Sequence, residues 1–374
     1  MLAHLALRDY RNLASLDLTV PAAGLVVVGE NGQGKTNLLE AVAYLALLRS
    51  FRGARDVDVV RFGAPAFHVR ATLSAPARCH TVGVGFERAS KRKRATLDGV
   101  EQTRLTQALG ALPSVEFSPA DVSLVAGGPG ERRHYLDVML ALSSPTYLQA
   151  LQQYRAALLR RNATLRALQL SGTRHAPADE RVSVWEPALA ESGGVVIAAR
   201  QRFVAEHAEG YAALCAQIGE RDLAHLRYQS VSSDAGAPGD HAAQQQALLA
   251  AMAAQRGNEL RRGTTLVGPH RDDLVLQLGG RDLRTFGSAG QQRSAAIALR
   301  LLELAVLTRA LGHAPLLLLD DPFAELDLGR AARVLDLLEA AGAAQVLLAV
   351  PREEDIPPAY TRLERRVMRG GVLG

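Results

Sequence analysis

Leu25-Val26-Val27-Val28-Gly29-Glu30-Asn31-Gly32-Gln33-Gly34-Lys35-Thr36-Asn37 decides the fold of this 374-residue chain. The apolar run Leu25 to Val28 reads as a buried strand, and Asn37 to Leu48 carries apolar residues at helical spacing. Between them lies a full G-x-x-x-x-G-K-[ST] phosphate loop in the strand–loop–helix setting that it needs. The glycines let the backbone curl so that consecutive N–H groups face a β-phosphate, and the helix N-terminus adds a favourable partial charge. Lys35 would reach the β- and γ-phosphates, and the Thr36 hydroxyl would hold Mg²⁺. Only three lysines (Lys35, Lys91 and Lys93) stand among 43 basic residues. A lysine at 35 in so arginine-rich a chain suggests a position that needs a compact ammonium rather than a broad guanidinium.

Composition sets outer bounds. The chain is long enough for one large core or two linked ones, and its 48% hydrophobic and 22% charged residues fit a soluble globular protein. Cys79 and Cys215 cannot make a disulfide framework and fit free thiols in a reducing cytoplasm. No leader pattern is read at the N-terminus, where Leu2 to Leu7 alternates, and no apolar run approaches 18 residues, so no membrane is expected. The charge of +5 and a pI near 9.4 favour a polyanionic partner, nucleic acid first, although arginine-rich usage can also be genomic drift.

The expected fold class is α/β. Strands are expected over 2–7 and 16–20, around a polar turn at 8–12, and over 68–73 and 81–87. Lys91 to Val100 reads as a hairpin with a type I′ turn at Asp98-Gly99. Helical periodicity then covers 132–170, 186–218 and 241–260, with a turn-rich break at 171–179 and a strand near 225–230. Sheet is expected again over 264–278, a long helix over 288–310, strands at 316–319 and 345–350, and a helix at 328–340. The division expected is a head over 1–126, an inserted and mostly helical lobe over 127–262, and the rest of the head over 263–374.

Leu316-Leu317-Leu318-Leu319-Asp320-Asp321 is an apolar strand ending in two carboxylates. Asp320 would sit at the strand's C-terminal end and hold the Mg²⁺ shell, with Asp321 placed to polarise an attacking water. Without the phosphate loop the same residues would read as a strand followed by an Asp-Pro turn. Ser288-Ala289-Gly290-Gln291-Gln292-Arg293 opens a helix. Ser288 is either a plain N-cap or, with the first amides, a second phosphate-binding helix terminus. The order of loop, long interval, serine–glycine–glutamine helix, Leu₄-Asp-Asp and then Glu325-Leu326-Asp327 is that of an ABC-type ATPase.

Further blocks carry a closer likeness. Asn12-Leu13, the loop through Ala41, Arg49-Ser50-Phe51-Arg52, Phe117 to Asp121, Arg132 to Asp137, Gly268-Pro269-His270-Arg271-Asp272-Asp273, Gly290 to Arg293 and Asp320 to Asp327 together resemble the RecF family over nearly the whole chain. That resemblance implies an ABC head with a helical second lobe and no long coiled coil. It implies ATP and Mg²⁺ bound by Gly29, Glu30, Asn31, Gly32, Gln33, Gly34, Lys35, Thr36, Asn37 and Asp320. It also implies an ATP-dependent homodimer, in which Ser288, Gly290 and Gln291 complete the partner's site and Asp327 lies in a dimer loop. Asp321 and Lys35 would be catalytic. DNA with gap or single-strand junctions, the proteins RecR and RecO, and RecA downstream are the implied partners. Departures from the general ABC pattern are Asp321 where many members carry glutamate, no glutamine over 115–125, and no histidine after Leu348-Ala349-Val350. They imply slow hydrolysis.

Other features read two ways. Lys91-Arg92-Lys93-Arg94 could lie on DNA phosphates or be a charged edge strand. Arg160-Arg161 and Arg261-Arg262 read as solvated helix faces. His270 with Asp272 and Asp273 reads as a hydrogen-bonded turn before a metal site, and Trp185 as core. The rival functions are a transporter ATPase subunit and an SMC-like structural head. The basic balance and the inserted lobe weigh against the first, and the lack of room for a heptad insertion against the second.

Overall fold

The computed structural model describes all residues except 75–79, 172–175, 233–238, 325 and 343–344, and only the backbone of 176–179. Cys79, Glu325 and most of the expected break at 171–179 therefore lie outside the described residues or side chains. Two compact units result: Met1–Asp121 with Leu299–Gly374, and Val122–Ala298.

The first unit opens with strands β1 (Leu2–Tyr10), β2 (Leu13–Thr19) and β3 (Gly24–Val28), then the helix Lys35–Leu47. Strands β4 (Ala66–Leu73), β5 (Thr81–Glu87), β6 (Arg92–Leu97), β7 (Val100–Glu101) and β8 (Ser114–Phe117) follow. One sheet is antiparallel, in the order β2-β1-β4-β5-β6-β7. Its alternating residues bury Leu5, Leu7, Phe67, Val69, Val84, Phe86 and Ala95 on one face, as a half-solvated sheet should. Asp98 and Gly99 have φ of 50° and 80°, the two positive values that a type I′ hairpin turn requires. The turn between β1 and β2 is tighter than the expected 8–12, because buried Tyr10 extends β1 and left-handed Asp9 and Arg11 absorb the reversal.

In the second unit β9 (Ala224–Gln229), β10 (Asp273–Leu278) and β11 (Arg281–Asp282) form an antiparallel sheet in the order β11-β10-β9. The helices Pro129–Ser143, Pro145–Ser171, Glu186–Ile218 and His241–Arg262 make up most of the rest. The single helical stretch expected over 132–170 is two helices, since Ser144 is extended ahead of Pro145. Sheet does not begin at 264: residues before β10 form a turn in which the Arg271 amide donates to the Gly268 carbonyl at 2.8 Å. Beyond 262, β10 pairs with β9 and Arg132 grips Asp273, so the chain stays with this unit to Ala298. That division differs from the expected break at 262. The chain returns to the first unit within the helix Ala289–Leu311.

The first unit closes with β12 (Leu316–Asp320), the helix Leu328–Ala340, β13 (Val346–Val350), β14 (Glu364–Arg369) and β15 (Val372–Leu373). These build a second sheet in the order β15-β14-β3-β13-β12-β8, parallel from β14 to β8. Unbroken apolar runs such as Leu316 to Leu319 suit a sheet covered on both faces. The helix Lys35–Leu47 touches strands of both sheets, and Leu38, Leu39, Val42, Tyr44 and Leu45 are wholly buried in the shared core.

Gln345 ties the two sheets together. Its Oε1 accepts from the Leu2 amide at 2.8 Å, and its Nε2 donates to the carbonyls of Leu2 and Pro21 at 2.7 and 2.9 Å. Gln345→Leu keeps the bulk and strands these buried groups. It is expected to cost about 1–3 kcal/mol, read as a lower denaturant midpoint. An unchanged midpoint would show that the amide bridge is not formed in solution.

Candidate nucleotide site

The loop after β3 is held open by backbone that only glycine adopts easily. Gly34 has φ 116°, and a Cβ there would stand 2.8 Å from Asn12 Oδ1. Lys35 starts the following helix and is 7% exposed. Its Nζ folds back on the loop, donating to the carbonyls of Gly29 at 2.5 Å and Glu30 at 2.9 Å. Burial pulls the Lys35 pKa down, and the charges of Asp320 and Asp321 oppose that pull.

The last residue of β12 meets the loop. Thr36 Oγ1 lies 2.8 and 3.0 Å from the two carboxylate oxygens of Asp320. Burial pushes the Asp320 carboxyl up, while the Thr36 hydroxyl and the Lys35 ammonium hold it down. Asp321 has φ 46°, a left-handed conformation that costs energy outside glycine, and its amide donates to the Ala349 carbonyl at 2.9 Å. Lys35, Thr36, Asn37, Asp320 and Asp321, 284 residues apart from Thr36 to Asp320, thus line one cleft of about 1050 Å³. Thr36 and Asp320 offer only oxygen donors, the set that suits a hard divalent cation.

Arg11, Arg61 and Arg88 line the cleft unforeseen, and Asn12 and Arg52, named only among the family blocks, gain a place in it; the four arginines make its rim basic. Arg11 forks onto Glu40 at 2.9 and 2.8 Å, and Ser50 donates to the same fully buried carboxylate at 2.5 Å. The hydrogen bond to Glu40 raises the Arg11 pKa. Asn12 Nδ2 donates to the Gln33 carbonyl at 3.1 Å, and Asn37 bridges Asn12 at 2.8 Å and Arg52 at 3.2 Å. From the far end of the chain, the Gly370 amide donates to Gln33 Oε1 at 2.6 Å and the Gly371 amide to the Gln33 carbonyl at 2.9 Å. Pairing of residue 12 or 371 with residue 33 leaves no local spacing to read. Glu116 on β8 is a further unforeseen acid. Burial and the nearby Asp121 push its carboxyl well above the usual range, and Arg300 binds Asp121 and Glu303 beside it.

Ser288, Gly290 and Gln291 stand in the other unit. Ser288 is exposed and caps the helix Ala289–Leu311: the Gln291 amide donates to Ser288 Oγ at 3.3 Å, and the Ser288 amide to Gln291 Oε1 at 2.9 Å. Asp327 caps the helix Leu328–Ala340 through the Arg330 amide at 2.9 Å.

The basic run is not one surface. Strand alternation turns Lys93 inward, where its Nζ meets the Leu48 carbonyl and Asp56, both at 2.7 Å, and lies 5.4 Å from the Tyr44 ring. Lys93 is therefore withdrawn from the expected DNA contacts. Lys91 lies in the turn, and Arg92 and Arg94 face outward beside Glu101 at 3.2 and 3.8 Å. His68 and Arg70 share that outer face across Gly85 and Gly83. Arg161 is not a solvated residue either. It is fully buried between Glu186 and Glu259 at 2.7 and 2.6 Å, because the helix face it occupies is covered on all sides. His270 is a turn residue bonded to the Tyr154 hydroxyl at 2.5 Å, and burial lowers its pKa to about 4. Trp185 is half-buried and donates to Thr164 Oγ1 at 3.2 Å.

The geometry has counterparts among known proteins. Residues 1–365 match the family described as RecF/RecN/SMC N terminal domain. The DNA replication and repair protein RecF of Chloroflexus aurantiacus is 38% identical over 351 residues, 90% of this chain and 89% of that protein. Its counterpart in Frankia alni is 38% identical over 377 residues, 100% of this chain and 99% of that one. A solved structure of the recombination mediator protein RecF with ATP, in the RecFOR pathway, superposes with a TM-score of 0.87 at 26% identity, covering 100% of this chain and 96% of that chain. An Smc head domain from Pyrococcus furiosus shares the fold alone, at TM-score 0.54 and 16% identity, with 100% and 94% covered.

Proposed function

We propose, since this chain belongs to the RecF family, that it is an ATP-gated DNA-binding protein of replication and recombinational repair. The observation that carries the reading is the convergence of Lys35 and Thr36 with Asp320 and Asp321 in one basic-rimmed cleft, in a chain similar to RecF end to end. An ATP-bound relative of the same fold supports ATP as the nucleotide.

In this reading the loop amides from Gly29 to Asn37 and the Lys35 ammonium bind the β- and γ-phosphates of ATP. Lys35 must first leave the Gly29 and Glu30 carbonyls that it now caps. Thr36 and Asp320 would hold Mg²⁺, which supplies charge neutralisation on the transferred phosphoryl group. Asp321 orients the attacking water and takes its proton on the carboxylate. Its side chain is one methylene shorter than glutamate, which supports slow turnover, and the family likeness supports stimulation by DNA.

A second copy contributes Ser288, Gly290 and Gln291 to the γ-phosphate and Asp327 to the dimer contact. The closed homodimer clamps DNA at gaps, and hydrolysis releases it. RecR and RecO are the partners, with RecA loaded afterwards, in the cytoplasm. Lys91, Arg92 and Arg94 remain the proposed DNA contacts, joined by His68 and Arg70 on the same face.

Sedimentation with ATP, with ADP and with neither, each with and without gapped DNA, tests the clamp. ATP alone should give the dimer, and DNA should ride with it. DNA affinity should fall log-linearly with salt and depend little on base sequence. A monomer under every condition, or a flat salt response, would remove the reading.

A further inference from the structure

The second unit holds a small, strongly basic pocket of about 300 Å³. Arg133, Arg155 and Arg200 line it beside Leu151, Leu158 and Val196. Asp137 is the one carboxylate among the lining residues. Its Oδ1 already accepts from Arg200 at 2.6 Å and from the Tyr147 hydroxyl at 2.6 Å, and its Oδ2 from Arg155 at 2.8 Å. Two of the three guanidiniums, Arg155 and Arg200, therefore share this one carboxylate, and Arg133 is not bonded to it.

They are not equally satisfied. Arg200 is 2% exposed and also donates to the Pro269 carbonyl at 2.7 Å. Arg133 spends one N–H on the Asp272 carbonyl at 2.8 Å, and its other donors find no partner among the described residues. Burial, then the neighbouring Arg200 charge, pull the Arg133 pKa down, while the charges of Asp273, Asp272 and Asp137 oppose that pull. His270, also on the lining, is held neutral by burial and adds no charge. The pocket further includes Gly130, in the first turn of the 15-residue helix Pro129–Ser143, whose N-cap Gly128 supplies no side-chain cap. Pro129 has no N–H and the Glu131 amide donates to the Gly128 carbonyl at 3.1 Å, so the Gly130 amide and the helix N-terminus add the positive potential there.

We propose that this pocket binds one phosphate-type oxyanion, seated between Arg133, Arg155 and the uncapped first turn at Gly130. The guanidiniums of Arg133 and Arg155 with the Gly130 amide suit a tetrahedral group with several acceptor oxygens. Inorganic phosphate and a DNA backbone phosphodiester share that chemistry. The second source rests on the DNA-binding reading above; the first does not.

The test uses full-length protein saturated with ADP and Mg²⁺, so that the phosphate loop is filled. Inorganic phosphate is titrated by calorimetry against chloride at matched ionic strength. Wild type should bind saturably, and Arg133→Gln and Arg155→Gln should each weaken binding about tenfold or more, with Arg155→Lys recovering part of the loss. Arg155 has 61% of its side chain exposed, so its variants keep the fold even if Arg133→Gln does not. No saturable binding by wild type, or wild-type affinity in both glutamine variants, overturns the proposal. The same variants on gapped DNA identify the source. Weaker binding with a salt slope smaller by about one assigns a backbone phosphodiester, and unchanged DNA binding assigns free phosphate. If wild type binds phosphate but no DNA, the clamp reading fails and the pocket stands.

Discussion

Lys35→Arg is expected to lower ATP turnover by roughly 10²–10³-fold while leaving residual nucleotide binding. The charge is kept, so any loss reports shape. Lys35 is 7% exposed and its Nζ lies against two loop carbonyls, at 2.5 and 2.9 Å, where a planar guanidinium is too broad. Displaced, it cannot follow charge onto the γ-phosphate, and ATP-driven dimers should be lost as well. Steady-state turnover with parallel nucleotide titration checks this. Wild-type turnover in the arginine variant would take Lys35 off the site.

Ser288→Arg and Asp321→Asn should part company. Ser288 is exposed at a helix start, so the substitution costs about 1 kcal/mol of capping and spares the fold. It should leave ATP binding by the monomer intact and abolish ATP-induced dimers, because the bulky cation would stand where the partner's γ-phosphate must approach. Asp321→Asn is nearly isosteric, and asparagine tolerates the φ of 46° about as well as aspartate. It removes only the proton acceptor, for an expected loss of about 10²–10⁴ in turnover. Dimers should still form on ATP and should hold DNA longer. If Asp321→Asn also fails to dimerise, assembly and chemistry are not divided between these residues.

Much of this was written in the order of the residues. The phosphate loop announces itself because its strand, glycines and helix are contiguous, and Leu316 to Asp321 because both faces of β12 are buried. The 33-residue helix Glu186–Ile218 could be read for the same reason, a sustained period. What escaped were pairings across the chain. β14 is Glu-Arg-Arg-Val-Met-Arg, charged enough to pass for a loop, and becomes a strand only beside β3. Lys93 was read as one of four surface cations, although the two-residue period of the hairpin already implied that alternate members face opposite ways. Arg161 escaped because its partners Glu186 and Glu259 are 25 and 98 residues away. The sharing of Asp137 between Arg155 and Arg200 likewise joins three separate helices.

The position of β3 also bears on how the chain is made. Its neighbours in the sheet are β13 and β14, so the strand that carries the phosphate loop finds its partners only long after it is itself made. Gln33 waits likewise for Gly370, 337 residues later, a delay of some tens of seconds on a ribosome. Until then Leu25 to Val28 is an apolar strand with both edges bare, the kind of segment that pairs with the wrong neighbour. A nascent chain therefore has no nucleotide pocket to fill and carries a sticky strand instead. The topology thus leaves β3 unpaired until the strands that complete the nucleotide pocket have been made.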